Sequence, residues 1–113
     1  MASEFRYRMT EKARADYEDT IRYIAVELSN LKAAAAFADE FDERVKEAMQ
    51  FPESGAPANN EYVSNPYVRT KLIGNYIMFY LPDMENKIIL VLRIVYGKMD
   101  LTGIIGRIDL QSK

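Results

Sequence analysis

The stretch "KIILVLRIVY", Lys87–Tyr96, is the most apolar run of the chain. In a strand, successive residues of this run would point to opposite faces of the sheet. After Lys87, both sets of residues are apolar except for Arg93. A strand with two apolar faces is typical of the interior of a sheet, where both faces are covered. The stretch therefore predicts a strand that is central in the sheet, around which the other elements can be placed.

Two further strands are predicted upstream of this run. Residues 68–72 alternate apolar and polar, and residues 76–81 are mostly apolar. Gly74-Asn75 between them is a tight-turn signal, and residues 82–86 supply a second turn. The segment 51–66 holds three of the four prolines and is predicted to be a loop.

The first half predicts a strand and two helices. "FRYRM", Phe5–Met9, alternates with period two, which predicts a short strand near an edge with Arg6 and Arg8 on its outer face. Thr10 suits the start of one helix, and Ser29 with Asn30 can cap a second. Apolar residues at helical spacing form one stripe in each helix: Ala13, Tyr17, Ile21, Ile24 and Leu28, then Ala34, Phe37, Ala38, Phe41, Val45 and Ala48.

The predicted fold is therefore α+β within one domain, residues 1–113. It has an N-terminal strand, an antiparallel helical hairpin, a three-stranded antiparallel meander and a short C-terminal tail. The hairpin is expected to cover one face of the sheet. The opposite face is then the candidate working surface.

Composition restricts the chemistry. The 113 residues are 49% hydrophobic and 28% charged, without a long uncharged apolar run, so a cytoplasmic protein with no membrane partner is expected. The chain has no cysteine and no histidine, which removes thiolate zinc sites, cysteine nucleophiles and the usual general base. No cofactor and no metal is expected, and any catalysis would use tyrosine, lysine, arginine, hydroxyls or carboxylates.

Arg69 and Lys71 form the first candidate site. They alternate with Val68, Thr70 and Leu72, so their side chains share a face at a spacing of about 7 Å. Two cations at that spacing can straddle a phosphate, or they can simply keep a solvent-facing surface soluble. We expect these and the other cations of the meander to converge on the face opposite the helices.

Arg93 and the stretch "YGKMD", Tyr96–Asp100, form the second candidate site. A guanidinium in an apolar strand needs a partner, which is either a phosphate or a structural carboxylate such as Asp100 or a loop acid. Tyr96 and Lys98 can serve as an acid-base pair for RNA cleavage by its own 2′-hydroxyl. Alternatively Gly97 turns the chain, Asp100 caps the tail and Lys98 is solvated.

Taken in order, these segments resemble the RelE/ParE superfamily of bacterial toxins from type II toxin-antitoxin modules. The resemblance rests on the N-terminal strand, "TEKARADYEDTIRYI", a second helix ending at "FPESG", "VRTKLIGNYIMFY" and "IILVLRIVYGKMDLTGII". It implies the fold derived above, a role in plasmid stabilization or growth inhibition, and a cognate antitoxin protein as partner.

The RelE-like branch of the superfamily cuts messenger RNA on the ribosome. Arg69 and Lys71 match its two basic positions on the strand after the loop, and Lys98 keeps one positive charge of its C-terminal motif. Carried over residue by residue, the catalytic set implied here is Arg69, Lys71, Arg93, Tyr96 and Lys98. This set implies an mRNA interferase with the ribosome and mRNA as partners.

Other positions depart from the RelE-like pattern. Ile77 stands where an arginine is expected, Tyr96 replaces a histidine, Met99 stands at a second basic position, and the late tyrosine falls on Ile105. Replacing arginine by isoleucine removes a fixed charge that would stabilise the phosphorane. ParE-like members lack this catalytic set and poison DNA gyrase by binding, so the resemblance favours a ParE-like toxin. A degenerate member that only binds its partner is a further alternative.

Overall fold

The computed structural model describes residues 4–58 and 65–97. Five strands form one sheet in the order β1-β5-β4-β3-β2, in which β1 runs parallel to β5 and the other pairs are antiparallel. The predicted α+β class, with an N-terminal strand, a helical hairpin and a meander, is confirmed. The elements are β1 (Arg6–Met9), α1 (Glu11–Arg22), a π-helical turn (Tyr23–Glu27), α2 (Leu31–Gln50), β2 (Ala56–Pro57), β3 (Arg69–Ile73), β4 (Tyr76–Asp83) and β5 (Ile88–Tyr96).

The apolar stretch forms β5, which lies between β1 and β4. The strand is internal, but the prediction that it is the central strand is wrong, because the middle strand of the five is β4. Both faces of β5 are covered: Ile89 and Val91 are fully buried toward the helices, and Leu92 is buried on the opposite face. Both faces of the strand therefore require apolar residues.

The helices begin at the predicted caps. Thr10 Oγ1 accepts a hydrogen bond from Ala13 N at 3.0 Å and donates one to Leu92 O at 2.9 Å, so one side chain caps α1 and joins it to β5. Asn30 Oδ1 accepts from Ala33 N at 2.9 Å and caps α2.

The α-helical part of the first helix ends at Arg22, before the end of the predicted apolar stripe at Leu28. Beyond Arg22 the chain widens into the π-helical turn, in which Leu28 N donates to Tyr23 O, five residues earlier. The wider turn rotates the end of the stripe away from the core, and Leu28 is 55% exposed. Ser29 then reverses the chain with a φ of 46°.

The prediction that residues 51–66 form only a loop is wrong at one place. Ala56 and Pro57 pair with Thr70 and Arg69 and add a two-residue edge strand. Proline is tolerated there because an edge strand has one side without ladder partners.

The sheet buries apolar residues on both of its faces. The helix-facing core joins Phe37, Phe41 and Val45 of α2 to Ile73, Met78, Tyr80, Ile89 and Val91 of the strands. The opposite side, called here the distal face, carries a second cluster of Val68, Phe79, Leu92 and Val95, each no more than 5% exposed. The face expected to be a working surface is thus largely an apolar core in the part of the chain that is described.

Arg6 and Arg8 lie on the distal face, as predicted. They are in register with Ile88 and Leu90, and Leu90 packs against the distal cluster. Between them, Tyr7 points to the helix side, where its ring meets Phe41 at 6.1 Å.

The predicted C-terminal tail, including the cap at Asp100, falls outside the described residues. Within residues 4–58 and 65–97, neither helix is long and apolar enough to cross a membrane.

Candidate functional site

Arg69 and Lys71 share one face of β3, as predicted, but that face is the helix-facing one. They lie opposite Tyr80 and Met78 of β4, both of which are fully buried in the helix-facing core. The prediction that they stand opposite the helices is therefore wrong. The signal that would have corrected it is Ile73, which belongs to the same alternate set and is fully buried.

Lys71 is bound to the second helix. Its Nζ lies 3.1 Å from Glu47 Oε1, and its side chain is only 9% exposed. Glu47 Oε2 in turn lies 3.1 Å from Arg44 Nη2, so one carboxylate holds two cations. The role of Lys71 in this geometry is to join β3 to α2 through a side chain that is mostly buried.

Arg69 anchors the chain that follows α2. Its Nη1 donates to Gly55 O at 2.6 Å. The same segment is held by Tyr80, whose hydroxyl donates to Pro52 O at 2.9 Å and accepts from Gly55 N at 2.9 Å. Burial raises the pKa of the Tyr80 phenol, which keeps it a neutral donor.

Gly55 cannot carry a side chain at this junction. A Cβ there would lie 2.6 Å from Tyr80 Oη and 2.7 Å from Thr70 O. The "FPESG" segment is therefore explained by packing: proline supplies the carbonyl, and glycine allows the backbone to reach the phenol. The sequence pattern alone gave no reason to pair Gly55 with Tyr80.

Arg93 lies beside an irregularity in the β4–β5 ladder. Phe79 pairs with Arg93 while Tyr80 pairs with Val91, so Leu92 is an extra residue. Such a bulge re-aims the side chains next to it. Here the guanidinium reaches the first helix, beyond the end of β1.

Asp16 of α1 receives that guanidinium. Arg93 Nε and Nη2 donate to its two carboxylate oxygens at 2.7 and 3.2 Å, and Ile94 N donates to Oδ2 at 3.0 Å. Of the two predicted alternatives for Arg93, the structural bridge is the one formed, but through Asp16 rather than Asp100 or a loop acid. Asp16 lies beside Ala13 and Tyr17 of the apolar stripe. A carboxylate at the margin of a buried stripe is a sequence signal for the acid that pairs with a buried arginine.

Tyr96 ends β5 in an aromatic group. Its ring meets Tyr76 at 5.4 Å, and Tyr76 meets Phe37 at 5.3 Å, both edge to face. The pKa of Tyr76 is raised, mainly by burial and further by Tyr23 and Tyr96. A groove of about 480 Å³ passes over Tyr23, Tyr76 and Tyr96 and continues to Leu28.

Within the described residues, the predicted catalytic side chains therefore do not converge on one site. Lys71, Arg69 and Arg93 bind Glu47, Gly55 and Asp16, respectively, and Tyr96 packs on Tyr76. Lys98 falls outside the described residues. Ile77, at the position of the expected arginine, packs against the distal cluster. Within residues 4–58 and 65–97 no group of three acidic side chains is placed to hold a metal ion.

Comparison with known proteins places the chain in a family. Residues 7–101 match the model of the ParE toxin of the type II toxin-antitoxin system parDE. The chain is similar in structure to a chain of the chromosomal ParDE toxin-antitoxin system from P. aeruginosa, with a TM-score of 0.64 and 25% identity, covering 83% of this chain and 97% of that one.

A second solved structure shares the fold. It is the toxin-antitoxin complex RelBE2 from Mycobacterium tuberculosis, with a TM-score of 0.55 and 18% identity, covering 81% of this chain and 96% of that one. The search of curated proteins gave no match. Because the family model spans most of the sequence, the chain belongs to the ParE toxin family of type II toxin-antitoxin systems.

Proposed function

We propose that this ParE-type toxin arrests growth by binding a cytoplasmic target such as DNA gyrase, without chemistry of its own, and that a cognate antitoxin neutralises it. The observation that carries the proposal is the pairing of sheet cations with helix acids. Lys71 is held by Glu47 and Arg93 by Asp16, so neither presents a free charge to a phosphorane.

The chemistry of the chain supports the same choice. It lacks histidine, and Ile77 replaces an arginine expected of the cleaving relatives. Charge stabilisation is usually the largest contribution to such catalysis, and the described cations Arg69, Lys71 and Arg93 are bound within the fold. A binding mechanism requires none of them.

An mRNA interferase acting on the ribosome is the second candidate. Arg69 and Tyr96 favour it, because both are partly exposed and each lines a surface cavity. In that case Arg69, Lys71, Arg93, Tyr96 and Lys98 would be the catalytic residues. A partner-binding member without toxicity is the third candidate.

Induced expression separates the candidates. Binding to gyrase predicts double-strand breaks with an SOS response, and purified protein with gyrase should convert supercoiled plasmid to the linear form. Cuts in mapped mRNA at the ribosomal A site would establish the second candidate instead. Unimpaired growth with soluble folded protein would leave the third.

Two variants sharpen this test. Lys71→Met and Arg69→Gln remove the cations without adding opposing charges to the core. If the toxin acts by binding elsewhere, both variants stay toxic, whereas an interferase loses activity by at least tenfold. The antitoxin is tested by co-expressing an adjoining small reading frame, which should restore growth and co-purify with the chain.

A further inference from the structure

Three tyrosines line one groove beside the tip of the helical hairpin, called here the tyrosine groove. Tyr23 comes from the π-helical turn, whereas Tyr76 and Tyr96 are paired across β4 and β5. Tyr76 and Tyr96 pack edge to face at 5.4 Å, but Tyr23 makes no ring contact with another described aromatic residue. Tyr23 is 49% exposed. The groove, of about 480 Å³, therefore combines an unpartnered ring from the helices with a packed pair from the sheet.

The π-helical turn brings Tyr23 and Leu28 to the same groove. In an α-helix, side chains five residues apart point about 140° away from each other. Here Leu28 N donates to Tyr23 O at 3.0 Å, so the two residues are stacked along the wider turn, and both line the groove. Such π-helical turns are frequent at functional sites. The irregularity therefore builds one wall of a cavity.

The charges beside the tyrosine groove decide which ligands it suits. A cleft of about 270 Å³ continues from the same three tyrosines and is also lined by Asp16, Asp19 and Arg93. Arg93 is bound by Asp16, so it offers no free charge to an anion. Asp19 pairs with Arg22 at 3.3 Å, but both side chains are about 70% exposed, and such a surface pair is weak. The Asp19 carboxylate is therefore available to a cation.

The opposite end of the tyrosine groove is apolar. Ile24, Leu28 and Ala33 line it beside Asn75. The faces of aromatic rings carry partial negative charge and attract organic cations. A volume of about 480 Å³ is also that of a small-molecule site, whereas a specific protein interface needs about 800 Å² on each partner. The groove therefore suits a small ligand with a cationic end and an apolar end.

We propose that the tyrosine groove binds a free organic cation of the alkylammonium class. The ammonium lies between the ring of Tyr23 and the rings of Tyr76 and Tyr96, toward Asp19, and the alkyl chain lies toward Leu28. Cation–π attraction and the carboxylate select for charge, and burial of the alkyl chain adds affinity. The inference does not depend on the target of the toxin or on its antitoxin, so its failure leaves the proposed function unaffected.

The test uses the full chain and two matched probes, pentylammonium and 1-pentanol, which share an alkyl chain and differ in charge. Affinities are measured from amide chemical shifts, and pentylammonium should bind at least about fivefold more tightly. The shifts should be largest around Tyr23, Tyr76 and Tyr96. The methylene protons next to the nitrogen should move upfield, because they lie over ring faces. Equal affinities would show only an apolar surface and would overturn the inference.

Substitutions separate the contributions of the ring and the carboxylate. Tyr23→Leu should weaken pentylammonium binding about fivefold and leave 1-pentanol unchanged, whereas Tyr23→Phe keeps the ring and should retain the affinity. Asp19→Asn should weaken pentylammonium binding about threefold. Glu85→Gln is the matched control, since Glu85 is an exposed acid between β4 and β5 at the other end of these strands, and it should change nothing.

Three further results would contradict the proposal. One is the absence of saturation by either probe at concentrations on the order of 50 mM. Another is an equal loss of affinity for Asp19→Asn and Glu85→Gln. The third is a set of nuclear Overhauser contacts from the Tyr23 ring to Ile104 or Ile105 that persists with the probe in excess. It would assign the groove to the C-terminal segment of the chain itself.

Discussion

Asp16 and Arg93 form a two-pronged bridge from α1 to β5, with Arg93 Nε 2.7 Å from Asp16 Oδ2. The same carboxylate oxygen accepts the N–H of Ile94, so it also satisfies part of β5 beyond the end of β1. Both side chains are about four-fifths buried, at 20% and 18% exposure. The bridge therefore joins the first helix to the sheet.

Removing Asp16 should destabilise the protein strongly. Asp16→Ala leaves a largely buried guanidinium and a backbone N–H without their acceptor, which is expected to cost about 2–3 kcal/mol. Urea unfolding measures the loss. The double variant D16A/R93M should recover part of it, since no unpaired charge then remains.

Asp19→Ala is the matched control on the same helix. Asp19 pairs with Arg22 at 3.3 Å, but both side chains are about 70% exposed. The expected change is within about 0.5 kcal/mol. Equal losses for Asp16→Ala and Asp19→Ala would show that the bridge has no special role.

Substitutions in the ion-pair network of Glu47, Lys71 and Arg44 should destabilise the protein to different extents. Glu47→Ala deprives both Lys71 and Arg44 of an acceptor and is expected to cost about 1–3 kcal/mol. Lys71→Met leaves Glu47 with Arg44 and keeps the apolar stem, so about 1 kcal/mol or less is expected. Thermal unfolding of the two variants ranks them, and the reverse order would contradict the geometry.

The buried Tyr80 phenol should make stability fall at alkaline pH. The unfolded phenol ionises near its ordinary pKa of 10.0, whereas burial raises the folded pKa. The contribution is complete below pH 10 and is lost as the pH rises through the raised value, because the unfolded state then releases its proton first.

Tyr80→Phe should reduce this alkaline slope. It should also cost about 1–3 kcal/mol at neutral pH, since Pro52 O and Gly55 N lose their partner. The free energy of unfolding between pH 8 and 11.5 checks both effects. Tyr67→Phe, at a side chain that is 70% exposed, is the control and should change neither.

Two glycines should differ in the substitutions they tolerate. Gly55→Ala collides with Tyr80 and Thr70, and about 1–3 kcal/mol of destabilisation is expected. Gly74 has a φ of 57°, and an added Cβ would lie 3.9 Å from Glu40 Oε1, an ordinary contact distance. Gly74→Asn should therefore be nearly neutral, whereas Gly55→Asn should be at least as harmful as alanine. Circular dichroism melting distinguishes the two, and similar tolerance at both sites would refute the steric explanation.

The elements were predictable because each depends on local spacing. Thr10 and Asn30 cap their helices as their residue types require, and period-two alternation predicted that Arg6 and Arg8 share one face of β1. The π-helical turn and the short strand at Ala56 carried no comparable signal. The short strand arises from a contact across the fold, in which Ala56 pairs with Thr70.

The sequence by itself determined the α+β order, the internal strand and the exclusion of histidine, cysteine and thiolate chemistry, since these follow from periodicity and composition. Only the tertiary structure decided which way Lys71 and Arg69 point. Alternation says that two residues share a face but not which face, and that choice was made by Ile73 in the core and Glu47 on α2. Likewise Arg93 needed a carboxylate, and only the packing of α1 on β5 determined that it is Asp16.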